Sequence, residues 1–384
     1  MKIVIACNAF KGSLTSGEAN AAVRRGLARV WPGADFLEVP MADGGDGTLD
    51  CLVAATGGST RTVMVSDPLG RLRPARLGLS PDGVTGFIEM AEASGLRLLG
   101  EDERDPLRAS SRGTGELIMR AVESGCRRLV VGIGGSATVD GGAGLLQALG
   151  ARLLDEHGTE IGPGALGLER LATLDLSAAQ GLLDSVELLV ASDVTNPLLG
   201  EEGAAAVYGP QKGAGPEEVP RLERALARLA RLAEESLGRA IHQIPGAGAA
   251  GGVGAALAGI LPGRLVPGAQ LIMETIDFPR LLQGAALCLT GEGRLDGQSI
   301  YGKVPVAVAR AASAAGIPAL LLAGSLGPGW ELAYQNGVSA VLVVVSGPTP
   351  LERALAQGAA NLERTAEALA RLVKVGGSLG QAFN

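Results

Sequence analysis

Histidine, lysine and aromatic side chains are scarce in this chain of 384 residues, and each scarcity removes a class of explanation. With only His157 and His242 present, neither a multi-histidine metal centre nor a Ser-His-Asp triad is expected. Aromatics make up 3% of the residues, so the cores must be built from Leu, Val, Ile and Ala. The four cysteines, Cys7, Cys51, Cys126 and Cys288, form no C-x-x-C pair, and three lie in or beside apolar runs. That usage reads as buried, reduced thiols in a cytoplasmic protein. There is no excess of positive charge: the formal net charge is −7, which argues against nucleic acid or an anionic membrane as the main partner. The Walker A pattern G-x-x-x-x-G-K-[ST] is absent, and no strict G-x-G-x-x-G follows the strand-like run that begins at Val130, which disfavours a dinucleotide-dependent dehydrogenase. Met1–Cys7 is too short for a signal-peptide core and reads as a first strand. The apolar tract Pro245–Pro262 is Gly-rich and ends in proline, so a buried loop and helix is expected there, not a membrane span.

Glycine, by contrast, is abundant. The 59 glycines are clustered, which points to many functional turns in a folded chain. The densest cluster is Val130–Gly144, where apolar β-formers enter a turn of Gly, Ser and Thr around Asp140. Ala143–Leu149 then reads as the start of a helix. A strand, a turn and a helix in that order leave backbone N–H groups able to hold an anion, and glycines let the backbone approach it closely.

Strand-like and helix-like runs alternate along the chain. Lys2–Cys7, Glu18–Val30, Asp35–Val39 and Thr48–Thr56 set a βαβα rhythm that resumes at Leu129–Ile133, Glu187–Ala191, Leu287–Thr290, Ala319–Leu322 and Ala340–Val345. An α/β protein with largely parallel sheets is expected. Thr60–Val65 and Gly86–Met90 flank the Pro- and Gly-broken stretch Pro68–Pro74, which suggests a domain boundary near residue 65. A second candidate boundary lies near residue 280, before Leu287–Thr290. Pro216–Arg239 carries Leu222, Leu226, Leu229 and Leu232 on one stripe and reads as an amphipathic helix with a buried and a solvated face.

Only five lysines occur beside 28 arginines, and three of them, Lys11, Lys212 and Lys303, adjoin glycine. An ammonium beside flexible backbone suits phosphate, and Lys11 follows the first strand, at the edge where α/β folds bind ligands. Three loops join carboxylates to glycines: one with Asp43 and Asp46, one with Asp140, and one with Glu292 and Asp296. Such carboxylates can hold Mg²⁺ through water or accept a proton from a hydroxyl, while a plain Asp-Gly turn remains the simpler reading of any single loop. Asp193 and Asn196 follow another apolar strand, where an Asx-type turn is the alternative, and Glu89–Gly95 fits a plain helix entrance. These features together indicate a Mg²⁺-dependent phosphotransferase or another enzyme of phosphate ligands, with the acceptor left open.

The ordered motifs resemble the bacterial glycerate kinase family of the glycerate 2-kinase type. The resemblance is carried by Phe10–Thr15, Val39–Thr48, Asp67–Gly70, Ile88–Leu96, Gly113–Ile118, Gly132–Gly142, Ser192–Leu198, Tyr208–Ala214, Thr290–Ser299 and Gly302–Pro305. It implies ATP-dependent phosphorylation of D-glycerate to 2-phosphoglycerate; 3-phosphoglycerate as product and a kinase for another small hydroxy acid are alternatives. A non-catalytic nucleotide- or metabolite-binding protein is the distant one. It also implies a Rossmann-like parallel-sheet domain, residues 1–65 plus 281–384, with a second α/β domain, residues 66–280, inserted in it and the active site in the cleft. A small-molecule substrate, D-glycerate, and ATP follow from the same resemblance, with monomer and homodimer both left open. Lys11 and Ser13 are assigned to the transferring phosphate or the substrate carboxylate. Asp43 and Asp46 are candidates for Mg²⁺ or base work, with Asp193 competing as base. Gly134, Gly135, Ser136 and Thr138 would cradle an anion, and Asp140 would shape that loop or touch Mg²⁺. Asn196 and Lys212 are further binding candidates, and Glu292, Asp296 and Lys303 complete the set. One departure stands out: Cys7-Asn8-Ala9 replaces the Pro-Asp-Ser usual before Phe-Lys-Gly-Ser, so no carboxylate is available at position 8.

Overall fold

Strands form where β-branched and Leu-rich runs can be buried, and they gather into two large sheets and one small one. The computed structural model describes residues 1–383, with side chains for all of these except residues 301 and 378–383. Its strands are β1 (Lys2–Ile5), β2 (Asp35–Glu38), β3 (Ser59–Ser66), β4 (Leu72–Leu79), β5 (Thr85–Glu89), β6 (Arg128–Gly132) and β7 (Arg152–Leu154). They continue with β8 (Thr173–Asp175), β9 (Glu187–Ala191), β10 (Arg264–Val266), β11 (Ala285–Leu295), β12 (Ala319–Leu326) and β13 (Val338–Val343). The helices that matter below are α1 (Ser16–Ala28), α2 (Thr48–Thr56), α3 (Arg112–Glu123), α4 (Ala143–Ala148), α5 (Val219–Leu237), α6 (Val304–Ala314) and α7 (Gly358–Phe383).

The chain divides into two compact units. Unit 1 comprises Met1–Asp43 and the chain from Ala269 onward; unit 2 is Gly44–Gly268. In unit 1 the five strands run in the order β13-β12-β11-β1-β2, and every neighbouring pair is parallel. Ile3, Ile5, Leu289 and Leu322 of this sheet are buried in one cluster with Val23 and Leu27 of α1 and Leu362 and Leu369 of α7. Helix α1 starts at a capping box: the Glu18 N–H donates to the Thr15 hydroxyl at 3.2 Å, and the Thr15 N–H donates to the Glu18 carboxylate at 2.9 Å. Gly26 lets α1 and α7 touch, since a Cβ there would lie 2.1 Å from the Glu363 carbonyl oxygen.

Unit 2 holds the order β10-β9-β6-β5-β4-β3, parallel from β10 to β5 and antiparallel through β4 and β3. Strands buried on both faces read as continuous apolar runs, as Leu129–Val131 and Leu188–Ala191 do. The α5 stripe matches expectation: Leu222, Leu226 and Leu229 are buried and Leu232 packs partly against the same core. The Pro245–Pro262 tract is a buried turn-and-helix segment, with Ala250 and Gly251 in left-handed backbone. All four cysteines are buried free thiols. Among the described residues, no helix is long and apolar enough to cross a membrane.

The breaks between the units differ from the positions suggested by sequence rhythm. They fall after Asp43 and Gly268, not near residues 65 and 280. The misplaced first break has a clear cause. Pro68–Pro74 is the turn and start of a β-hairpin, with β3 and β4 paired from Ser59–Leu79 to Ser66–Leu72. Pro74 is tolerated because β5 pairs with β4 only at Gly78 and Leu79, so β4 is locally an edge at Pro74.

Candidate functional site

Parallel α/β sheets offer their chemistry at the carboxyl ends of the strands, above all where the strand order reverses direction. In unit 1 that reversal lies between β1 and β11: the chain leaves β1 toward β2 on one side and leaves β11 toward β12 on the other. The loop after β1 carries Asn8, Lys11 and Ser13, and the end of β11 and the loop after it carry Glu292, Asp296 and Lys303. The two meet closely, because a Cβ on Gly293 would stand 3.5 Å from the Lys11 amide nitrogen.

Lys11 is exposed. Glu292 is only 6% exposed, and one carboxylate oxygen accepts a 2.8 Å hydrogen bond from the Ser299 hydroxyl. Burial pushes the Glu292 carboxyl up to about 7; Ser299 and the Lys303 ammonium pull it back, while Asp296 and Asp43 add to the rise. Lys303, half-buried at the head of α6, has its ammonium 3.9 Å from Asp296. Asn8 donates through Nδ2 to Asp43 at 3.4 Å, so the amide faces a carboxylate that an Asp at position 8 would repel. Ser13 is not presented as a ligand group: its hydroxyl donates to the Leu355 carbonyl at 2.6 Å and ties the loop to the C-terminal segment.

In unit 2 the carboxyl ends of β5, β6, β9 and β10 carry Glu89, the Gly134–Asp140 loop, Asp193 and Gly268. Glycines bring these backbones into contact. The Gly134 N–H donates to the Gly44 carbonyl at 2.9 Å, and a Cβ on Gly134 would lie 2.6 Å from the Gly45 Cα. Gly135 adopts φ +71° and is exposed beside Asp46. The anion at the start of α4 is the chain's own. Asp140 is fully buried and accepts from the Ser111 N–H and hydroxyl at 2.8 Å, the Gly142 N–H at 3.1 Å and the Gly144 N–H at 3.3 Å. Of the two roles open to it, the geometry favours shaping the loop over touching a metal.

Thr138 and Ser136 are likewise buried, and they meet Lys212. The Lys212 ammonium, 2% exposed, donates to the Ser136 hydroxyl and to the Thr138 carbonyl, both at 2.8 Å. Burial pushes Lys212 down to about 7, against the pull of Asp140. Asn196 spans its own loop: Nδ2 donates to the Glu202 carbonyl at 2.8 Å and Oδ1 accepts from the Tyr208 hydroxyl at 2.7 Å. Asp193 is exposed and accepts from the Gly268 N–H at 2.6 Å, which joins the loops after β9 and β10.

Arg97 and Ser299 were not singled out in the sequence reading, and Glu89 was weighed there only as part of a helix entrance. Glu89 closes an apolar strand at its carboxyl end, a signal that was available. Arg97 and Ser299 matter only through partners brought close by folding, which no local pattern announces. Among the described residues, no group of three or more His, Cys, Asp or Glu is placed to hold a metal ion. Mg²⁺ in kinases is held by one or two carboxylates plus substrate phosphates, so single carboxylates such as Asp43 and Asp46 fit that demand.

The glycerate kinase family model matches residues 3–374. The chain belongs to this family. It is 47% identical over 375 residues to a glycerate kinase of Bacillus subtilis (strain 168), covering 98% of each chain. It is 43% identical to the glycerate 2-kinase of Escherichia coli (strain K12), covering 98% of this chain and 99% of that one. A crystal structure of a Salmonella typhimurium LT2 protein assigned as glycerate kinase 2 superposes with a TM-score of 0.87 at 45% identity, covering 98% of this chain and 99% of the other. Family membership makes the chain an enzyme of phosphoryl transfer and its strand-end carboxylates and lysines candidate parts of that chemistry.

Proposed function

We propose that the chain transfers the γ-phosphoryl group of ATP to the 2-hydroxyl of D-glycerate, giving 2-phosphoglycerate and ADP. The observation that carries the reading is the switch-point set of unit 1: exposed Lys11, buried Glu292 fixed by Ser299, and Lys303 beside Asp296. The 43% identity to a named glycerate 2-kinase supports the 2-phosphate over the 3-phosphate.

In this reading Glu292 takes the hydroxyl proton as the oxygen attacks the γ-phosphorus, and the bond to the β–γ bridging oxygen breaks. A carboxyl held near 7 suits a base working at neutral pH. Lys11 and Lys303 place positive charge where phosphate oxygens or the substrate carboxylate arrive. Asp43 and Asp46 are the residues that would hold Mg²⁺, whose chemistry is to neutralise charge on the transferring phosphates. In unit 2 the exposed Gly135 offers its backbone N–H to an anion, with Ser136, Thr138, Asp140 and Lys212 holding that loop in shape. Asp193 and Asn196 are assigned to loop geometry, which leaves the base role to Glu292.

Phosphorus NMR of the product formed from D-glycerate and ATP tests activity and regiochemistry together. Lys11→Ala and Asp43→Asn should each lower kcat/KM by about 100-fold or more, the usual cost of removing a charge-stabilising group. Absence of turnover with glycerate alongside turnover of another hydroxy acid would replace the substrate assignment. Wild-type kinetics in both folded variants would remove the residue roles.

A further inference from the structure

We propose that Glu89 is a positioning residue for phosphoryl transfer, which with Arg97 fixes the loop Gly44–Thr48 and thereby the carboxylate of Asp46. The inference rests on the functional reading above, in which that loop takes part in the reaction.

Helix α2 begins without a cap of its own. Its N-cap is Gly47, at φ +87°, a conformation that favours glycine and so denies the position a capping side chain. The missing acceptor comes from the end of β5. Glu89 is 1% exposed, and its Oε2 accepts from the Gly47 N–H and the Leu49 N–H, both at 3.1 Å. A negative charge there also meets the positive end of the helix dipole. Its other oxygen faces Arg97 at 3.5 Å.

Arg97 extends the linkage outward. It pairs with Glu92 at 2.8 Å and reaches Asp46 Oδ1 at 3.5 Å. Glu92 is held in turn by Arg76, which also binds Asp50 on the first turn of α2. Two arginines thus stand among four carboxylates, Asp46, Asp50, Glu89 and Glu92. The buried member binds backbone on one side and the guanidinium that reaches Asp46 on the other. The loop itself touches the Gly134 strand-end turn through the Gly44 carbonyl. A buried carboxylate is an expensive way to cap a nine-residue helix. The added return is that the same group ties loop, helix start and Asp46 together.

The full chain, assayed with ATP and D-glycerate, tests this with Glu89→Ala and Glu89→Gln. Glu89→Gln keeps an acceptor oxygen for both amides; Glu89→Ala removes it. Glu89→Ala is expected to speed amide hydrogen exchange across residues 44–49 and to lower kcat by about 10- to 100-fold, the scale of a misplacement near 1 Å, with a smaller change in KM. Glu89→Gln should recover the exchange protection and most of kcat. Wild-type kcat in Glu89→Ala overturns the proposal, and so does equal loss in both variants with exchange unchanged. If Glu89→Ala fails to fold, Arg97→Gln takes its place, with faster exchange and lower kcat expected and wild-type values for both overturning it. Should the wild type not phosphorylate glycerate, the functional reading fails by itself, while the exchange contrast between the two Glu89 variants still reports whether Glu89 holds the loop.

Discussion

Glu292 in unit 1 and Glu89 in unit 2 stand toward the carboxyl ends of parallel strands, and burial lifts both carboxyls to about 7. Their partners differ. Glu292 accepts from one hydroxyl, Ser299, and otherwise feels charges on Lys303, Asp296 and Asp43. Glu89 gives one oxygen to two backbone amides and faces Arg97 with the other. A side-chain hydroxyl can yield to a substrate hydroxyl at little cost, whereas the first amides of a helix cannot turn away. A raised pKa marks burial in both places, and in the proposed reading the hydrogen-bond partners separate the proton acceptor, Glu292, from the scaffold, Glu89.

The largest effect is expected from Glu292→Gln, which keeps shape and removes the base. Its kcat/KM should fall by about 100- to 10,000-fold. The wild-type kcat/KM should rise with pH and level off above about 7, as Glu292 ionises, and the variant should lack that limb. Stability moves the opposite way. Between about 4.5 and 7 the folded state binds the Glu292 proton more tightly than the unfolded state, so wild-type stability falls as pH rises through that window. Glu292→Gln should therefore melt higher than wild type at pH 8, by an amount on the order of 3 kcal/mol at most, and lose that advantage near pH 4.5. A variant with an intact acidic limb would leave Glu292 as scaffold and dissolve the contrast with Glu89.

Much of the fold was legible in the sequence, and the reasons for the remainder are physical. Apolar runs placed β1, β6, β9 and β11 well, since parallel strands are buried on both faces and leave an unbroken signature. Thr48–Thr56 was readable as a helix although its cap lies 40 residues away in Glu89. Lys11 and Glu292 were legible as strand-end polar groups, and Lys303 as a lysine beside glycine. What the glycines of Val130–Gly144 are for was not. A glycine that meets a ligand and a glycine that meets another backbone look alike in sequence, and Gly134 proves to meet Gly45. Asp140, which that run placed at a site for a foreign anion, supplies the anion itself. The break after Asp43 was hidden because Asp43 and Asp46 read as one motif while the two units divide between Asp43 and Gly44.

Lys212 carries the comparison to a cation. Its folded pKa lies below the unfolded one, so between about 7 and 10.5 the unfolded chain binds the extra proton and stability rises with pH. This slope is opposite to that of Glu292. Lys212→Met removes it. Relative to wild type the variant should gain about 2–4 kcal/mol between pH 10 and pH 6, on top of a pH-independent loss of about 1 kcal/mol for each of the two hydrogen bonds to Ser136 and Thr138. Melting curves of both proteins at a series of pH values give the difference directly. A parallel pair of curves would mean that Lys212 is solvated in the working fold.

The smallest effects separate the units by how their loops are held. Unit 2 packs backbone on backbone: a Cβ on Gly134 would lie 2.6 Å from Gly45 Cα and 3.1 Å from Gly45 N, atoms that cannot rotate aside. Gly134→Ala should cost about 1–3 kcal/mol through the forced shift, read as a lower denaturation midpoint. In unit 1 the corresponding approach is looser. A Cβ on Gly293 would meet Lys11 N at 3.5 Å and Phe10 Cα at 3.6 Å, ordinary contact distances, and its φ lies outside the left-handed region. Gly293→Ala should therefore change stability by less than about 0.5 kcal/mol, and any drop in kcat/KM without a drop in midpoint would place substrate against Gly293. Equal destabilisation by both alanines would mean that the unit 1 loops are also held by backbone contact, and the contrast between the units would go with it.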